Sequence, residues 1–143
     1  MTKVIIAAAN PTTDEVDATN FIAQSSRFSG SKAVVLQGAQ GGRGASGGDT
    51  FDVLVSNRTL DPPTTGIDAW WATERKDTSD RVATIDIYTP TSSPSKQAAS
   101  GMITNKLSSQ AQWVCVNVSK VRSAAWLPAL KAEFANKNVI FTN

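Results

Sequence analysis

The sequence contains no histidine, one cysteine (Cys115) and one tyrosine, and charged residues make up only 18% of its 143 positions. The absence of histidine excludes the serine-histidine-aspartate triad, the cysteine-histidine dyad and histidine-based zinc sites. A single cysteine excludes an internal disulfide and a cysteine-rich metal site. We therefore expect no catalytic residues, no bound metal, no cofactor and no enzymatic activity.

Long apolar runs are also missing, because no stretch approaches the ~18 apolar residues that a membrane-spanning helix needs. The N-terminus lacks the basic-then-apolar layout of a secretory signal, so we expect neither a membrane nor an export pathway. Apolar residues make up 41% of the chain, which is too many for a disordered protein. A chain of 143 residues fits one compact domain, and we expect a single domain over residues 1–143.

The charges are distributed unevenly although the net charge is only +2. Residues 1–89 carry eight basic and eleven acidic side chains, a balance of 8 − 11 = −3. Residues 90–143 carry six basic side chains and one acidic one, Glu133, a balance of 6 − 1 = +5. Such asymmetry is typical both of a surface that meets an anionic polymer and of solvated loops that keep a protein soluble.

The central part of the chain has the clearest β-strand pattern. Two runs rich in aromatic and β-branched residues, Ile67–Arg75 and Arg81–Tyr88, are joined by a short polar connection, which predicts a hairpin. In the second run, apolar residues at Ala83, Ile85 and Ile87 alternate with more polar ones, as in an antiparallel sheet with one covered face. Further strands are predicted over 3–8, 32–36, 51–55 and 112–119.

Helical patterns are fewer. Residues 12–24 are ambiguous because they contain weak helix formers, and a short helix is expected near residues 97–106. The C-terminal stretch has a helical apolar stripe that extends to Lys137, with Ser123 as a candidate cap. Pro128 disfavours a long helix there, so the helix is expected to begin close to it. The residues of the stripe are Trp126, Leu127, Leu130 and Phe134.

Two short motifs suggest chemistry. Gly42–Gly47 has the GxGxxG spacing of a dinucleotide-binding loop, but the next apolar segment is typical of a strand, whereas that loop requires a helix. Glu74-Arg75-Lys76 is similar to the Glu-x-Lys of metal-dependent nucleases, whose carboxylates hold magnesium, with Asp52 or Asp61 as the upstream acid. A flexible hairpin loop and a solvated strand end explain these two strings more simply than phosphate binding and magnesium binding do.

The order of the C-terminal elements resembles a known family. The hairpin IDAWWATERKDTSDRVATIDIYTP is followed by the strand QWVCVNVS and the amphipathic segment SAAWLPALKAEFANK. This layout resembles the coat proteins of single-stranded RNA bacteriophages in length, element order, lack of histidine and Ser/Thr/Ala-rich composition. The resemblance covers mainly residues 67–143.

The resemblance implies an α+β fold, in which an antiparallel sheet is covered by the C-terminal helix of a second copy in an obligate homodimer. Dimers would assemble into an icosahedral shell around genomic RNA, so the expected location is a virion assembled in the host cytoplasm. Single-stranded RNA would contact the sheet face opposite the helices. The RNA-binding residues implied are Thr73, Arg75, Thr84, Trp113 and Asn117. The dimer-interface residues implied are Trp126, Leu127, Leu130 and Phe134.

Two other hypotheses follow from the residues alone. The first is a small doubly wound α/β domain that binds a nucleotide, which requires residues 12–24, 65–76 and 96–109 to be helices between parallel strands. The second is a magnesium-dependent nuclease that uses Glu74 and Lys76.

Overall fold

A computed structural model describes residues 2–6, 11–28, 30–37, 52–57, 60, 81–90, 94–109 and 112–142. These residues form six strands, three α-helices and one short 3-10 helix, Ser26–Phe28. The strands are β1 (Lys3–Ile6), β2 (Ala33–Gln37), β3 (Asp52–Ser56), β4 (Arg81–Tyr88), β5 (Trp113–Val116) and β6 (Val139–Phe141). The helices are α1 (Thr13–Gln24), α2 (Lys96–Ser109) and α3 (Leu127–Glu133).

The six strands form one mixed sheet in the order β1-β2-β3-β4-β5-β6. Only β2-β3 and β3-β4 pair in the antiparallel sense, whereas β1-β2, β4-β5 and β5-β6 are parallel. The expected α+β class is compatible with this architecture, but the expectation of an antiparallel sheet is corrected. Each parallel pair has one of the three helices between its strands, which is the crossover that parallel pairing requires.

Helix α1 forms although its sequence contains weak helix formers. Its N-terminus is a capping box: the Thr12 hydroxyl accepts from the Glu15 amide at 3.2 Å, and the Glu15 carboxylate accepts from the Thr12 amide at 2.9 Å. Ala18 and Ile22 then pack into the core on one face. Capping and tertiary burial therefore decide a segment that propensity left ambiguous.

The C-terminal helix α3 begins close to Pro128, as the sequence predicts, because proline is tolerated in the first turn. Its N-cap is Trp126 and not Ser123, and it has no side-chain cap hydrogen bond. Strand β6 follows it and pairs with β5, an element that the sequence analysis did not predict.

Both faces of the sheet carry helices from the same chain. One face packs on α1 through Val34, Leu36, Val53, Ile85 and Ile87. The other face packs on α2 and α3, where the expected dimer-interface residues Leu127, Leu130 and Phe134 are buried against Val114 and Val116, and Trp126 is partly buried beside them. The expected packing of this segment across a dimer is therefore not confirmed, because the chain's own sheet receives it.

Candidate functional site

The most unusual side chain in the sheet is Asp86 on the central strand β4. It lies between Ile85 and Ile87, which face α1, and alternation turns Asp86 towards the α2 side. The parallel register places it beside Val114 of β5, and its exposed fraction is 0%. A carboxyl group therefore occupies an interior sheet position that is normally apolar.

Its partner comes from the buried stripe of helix α2. Ala99, Ile103 and Lys106 recur at helical spacing and are all buried, so a lysine stands where the pattern calls for an apolar residue. The Lys106 ammonium lies 3.0 Å from Asp86 Oδ2, and the two side chains are only 5% and 1% exposed. We call this the Asp86–Lys106 pair.

The Asp86–Lys106 pair is not fully satisfied. Within the described part of the chain, Asp86 Oδ1 has no hydrogen-bond donor although it is buried. Burial raises the pKa of Asp86, and the opposing effect of the Lys106 charge and hydrogen bond is smaller. Removing a carboxylate from water costs several kcal/mol, roughly, unless its partners compensate. The interior of the sheet thus contains a buried carboxyl group with one oxygen on Lys106 and one oxygen without a donor among the described residues.

The backbone register places a second acidic residue opposite Asp86. Asp52 is the first residue of β3 and the direct antiparallel partner of Asp86, a relation that brings Cα atoms to roughly 5 Å. Gln37, the last residue of β2, is the register partner of Asp52 on its other side. Because β3 runs opposite to β2 and β4, its start lies at the same edge as their carboxyl ends, where α/β proteins bind ligands.

The Asp86–Lys106 pair, with Asp52 at the neighbouring register position, determines which groups the site could bind. Among the described residues, no three or more acidic, cysteine or histidine side chains cluster as a ready-made metal cage. Magnesium does not need such a cage, because one or two carboxylates hold it while water and substrate phosphates complete its shell. Cys115 offers no alternative chemistry, since burial raises the pKa of its thiol to about 12.

The predicted nuclease residues have mixed outcomes. Glu74 and Lys76, together with Asp61, lie outside the described residues, so their roles stay predictions. Asp52, the other candidate acid, is found in β3 opposite Asp86. The Gly42–Gly47 string also lies outside the described residues, and the next described element is the strand β3, as the sequence predicts.

The predicted RNA-binding residues do not form one described surface. Thr73 and Arg75 lie outside the described residues. The register pairs Trp113 with Ile85, one residue away from the pairing that a common face with Thr84 would need. Their RNA-binding roles stay predictions.

The surroundings of Trp113 and Asn117 are structural. Phe28 packs edge-on against the Trp113 ring at 5.3 Å, and the Arg27 guanidinium covers it at 5.4 Å. Asn117 is 4% exposed and donates to the Asp14 carbonyl at 3.2 Å, and its own oxygen accepts from the Ser119 amide at 3.0 Å. Both side chains therefore have their polar or aromatic partners within the chain.

Asp86 and Lys106 were not predicted from the sequence as a site, although each had a visible signal. An acid interrupted the strand between two isoleucines, and a lysine occupied an apolar position of the following helix. Neither signal reveals the other, because the pair forms only when α2 packs on β4. No protein-family model, curated protein or solved structure matches this chain.

Proposed function

We propose that the chain is a divalent-metal-dependent phosphodiesterase that acts on nucleic acid. The observation that carries the proposal is the buried Asp86 carboxylate, with one oxygen on Lys106, one without a described donor, and Asp52 as its register partner. This arrangement has the same kinds of group as the Glu-x-Lys motif, carboxylates and a lysine, but Asp86 and Lys106 are not residues of that motif, and the groups come from three different elements. The expectation of a protein without enzymatic activity stays the alternative prediction.

The chemistry needs no histidine. Asp86 and Asp52 would hold a magnesium ion, which polarises a phosphate and lowers the pKa of a bound water. Water would attack phosphorus and give one proton to solvent, one P–O ester bond would break, and the departing alkoxide would take a proton from solvent, which leaves an alcohol and a phosphomonoester. Lys106 would release its contact with Asp86 and stabilise the negative charge on the phosphate oxygens.

The charge distribution supports a polyanionic substrate. The segment after β4 has six basic side chains against Glu133 alone, and most of them are exposed. Clustered cations raise the local concentration of a nucleic acid and release its counterions on binding. The exposed basic residues of this segment are Lys120, Arg122, Lys131 and Lys137.

The α/β nucleotide-binding hypothesis receives partial support. Two of its three required helices, α1 and α2, lie between parallel strands, whereas residues 65–76 lie outside the described part of the chain. A doubly wound sheet with acids at its carboxyl edge fits a phosphate-handling enzyme as well as a simple binding domain.

The coat-protein hypothesis stays a prediction. It rested on a sheet face that needs a partner's helix, whereas helices of the same chain pack on both faces of the described sheet. Homodimer formation and shell assembly have no further support here. Electron microscopy of the purified protein tests them directly, and regular particles containing RNA would favour the coat protein over the enzyme.

The enzyme is tested with labelled single-stranded and double-stranded DNA and RNA, in Mg²⁺ or Mn²⁺ and in excess chelator. We expect cleavage that depends on the metal ion and that is slower in Asp86→Asn and in Asp52→Asn. Loss of an outer-shell partner of a metal lowers activity by roughly 10- to 100-fold, so loss of a direct ligand should lower it by at least that much. Asp17→Asn, an exposed acid on α1, is the matched control and should keep full activity.

Calorimetric titration of Mn²⁺ supplies a second readout that does not depend on knowing the substrate. Wild-type protein should bind the ion, and Asp52→Asn should bind it more weakly while unfolding at the same urea concentration. A wild-type protein that neither binds Mn²⁺ nor cleaves any of the four substrates would overturn the proposal.

A further inference from the structure

The open edge of β6 lies in a groove between two helices. The groove, of about 280 Å³, is lined by the end of α1 and the 3-10 helix on one side, by the end of α3 on the other, and by β6 along its floor. Phe21, Phe134 and Phe141 give it apolar walls, and Arg27 and Lys131 are exposed at its rim. We call this the β6 groove.

The backbone of β6 presents unpaired groups to this groove. The Val114 amide donates to the Asn138 carbonyl at 3.1 Å, and the Thr142 amide donates to the Val116 carbonyl at 2.9 Å. Because parallel pairing uses alternate residues, Ile140 also faces β5, and Phe141 turns its amide and carbonyl outward. In the part of the chain that the structure describes, no strand pairs with this outer edge.

On the outer edge of β6, the backbone amide at the start of the strand already has a hydrogen-bond partner, whereas the backbone groups near its end are available. The Val139 amide, which also points away from β5, is already used by the Lys137 carbonyl at 2.8 Å. The Phe141 amide and carbonyl together offer the two hydrogen bonds that an added strand exchanges with an edge residue. An added strand is thus expected to pair mainly with Phe141.

The charge of the groove selects the chemistry of its occupant. Arg27 and Lys131 are cationic, and none of the described residues that line the groove is acidic. A second copy of this chain would bring the same cations together across the edge, and like charges in contact are strongly unfavourable. Charge complementarity therefore favours an acidic segment over a second copy.

We propose that the β6 groove binds an extended, acidic segment of a protein partner, which adds to the sheet as a further strand beside β6. Alternate apolar side chains of that segment would pack against Phe134 and Phe141, as in other strand-addition complexes. Its carboxylates would lie near Arg27 and Lys131. This inference does not depend on the proposed enzyme, since the groove contains none of Asp52, Asp86 and Lys106 and shares with it only the exposed Lys131.

The probe is a short fluorescent peptide in which Asp and Val alternate, followed by fluorescence anisotropy. We expect wild-type protein to bind it and to ignore the same peptide with Lys in place of Asp. Lys131→Glu should weaken binding by about tenfold or more, because one cationic contact becomes repulsive. Lys3→Glu is the matched control, because it makes the same charge change at an exposed residue of β1, at the opposite edge of the sheet, and it should bind like wild type.

Strand addition is tested separately from charge attraction. Amide hydrogen exchange of Phe141 should slow when the Asp-Val peptide binds, and a peptide with N-methylated backbone amides should fail to bind. Equal weakening by Lys3→Glu and Lys131→Glu, or unchanged exchange at Phe141, would overturn the proposal. Stronger binding of an RNA oligonucleotide, weakened by Lys131→Glu and competing with the peptide, would show a nucleic-acid surface instead.

Discussion

Helix α2 makes two ion pairs, one in water and one in the core, and they differ in more than position. Lys96 and Glu133 approach to 2.6 Å with side chains that are 41% and 37% exposed. Lys106 and Asp86 are slightly further apart, at 3.0 Å, but only 5% and 1% exposed. Distance alone would rank the exposed pair as the stronger one.

The pKa shifts of the two acids point in opposite directions. The hydrogen bond from Lys96 lowers the pKa of Glu133, with help from a hydrogen bond from Ser100. Burial raises the pKa of Asp86 despite a lysine at similar distance. Solvation therefore determines the direction of each pKa shift. The exposed carboxylate gains a cationic partner and stays hydrated, whereas for the buried carboxylate the cost of desolvation exceeds the stabilisation by its lysine.

The largest expected loss of stability comes from replacing only one of the two charged residues of the Asp86–Lys106 pair. Lys106→Met leaves the Asp86 carboxylate buried without a cation, and such losses cost about 3–5 kcal/mol in the free energy of unfolding. Urea denaturation at neutral pH measures this. Lys96→Met makes the same chemical change on the same helix in water and is the control. Equal losses in the two variants would contradict the idea that burial distinguishes the pairs.

The loss in Lys106→Met is expected to depend on pH. Because the folded-state pKa of Asp86 is raised above its ordinary 3.8, the carboxyl's contribution to stability is fully present below that value. It is lost as the pH rises through the raised pKa. Removing the lysine takes away the effect that lowers this pKa, so the variant should be closest to wild type in acid and furthest from it at neutral pH.

The sequence predicted much of the fold from local patterns. The alternation around Ile85 and Ile87 correctly predicted strand β4, and Pro128 correctly located the start of α3. Strand β6 has only three residues and was missed, because so short a run has no period of its own. Parallel pairing was also missed, because the direction of a strand depends on the helices that connect it.

The candidate site was less predictable than the fold. Its three groups come from β3, β4 and α2, and 20 residues separate Asp86 from Lys106 along the chain. A motif with fixed spacing, such as Glu74-Arg75-Lys76, is visible in one line of sequence. A pair that depends on how a helix packs on a sheet is visible only after the packing is known.

Replacing both charged side chains of the Asp86–Lys106 pair is expected to change stability less than removing one of them. In Asp86→Leu combined with Lys106→Met, two charges are replaced by apolar groups of similar volume, a change that is often neutral or stabilising by about 1–4 kcal/mol. We expect urea stability at least equal to wild type and little pH dependence between the ordinary pKa of Asp86 and neutrality. A large loss would show that the pair itself stabilises the fold.

The double variant also separates stability from function. If the Asp86–Lys106 pair serves the proposed phosphodiesterase, a stable double variant should be inactive and should bind Mn²⁺ more weakly. If cleavage and Mn²⁺ binding survive in a stable double variant, the proposed site is wrong. A double variant that is stable but inactive would explain why the interior of the sheet contains two charged residues: they would serve activity, since apolar residues could replace them without loss of stability.

The smallest expected effect comes from the exposed pair. Glu133→Gln keeps the shape of the side chain and the capacity to accept from Ser100 but removes the charge that meets Lys96. Because both partners stay hydrated and side-chain entropy opposes their contact, we expect no resolvable shift of the urea midpoint. Any shift should shrink in high salt, because exposed charges are screened.

The contribution of Glu133 to stability depends on pH with the opposite sign to that of Asp86. The pKa of Glu133 is lowered, so its contribution exists above the ordinary value of 4.5 and disappears as the pH falls through the lowered pKa. Urea melts of wild type and Glu133→Gln should therefore converge in acid, where wild type and Lys106→Met also converge. A Glu133→Gln loss at neutral pH as large as that of Lys106→Met would mean that the separation between charges, and not their burial, sets the strength of both pairs.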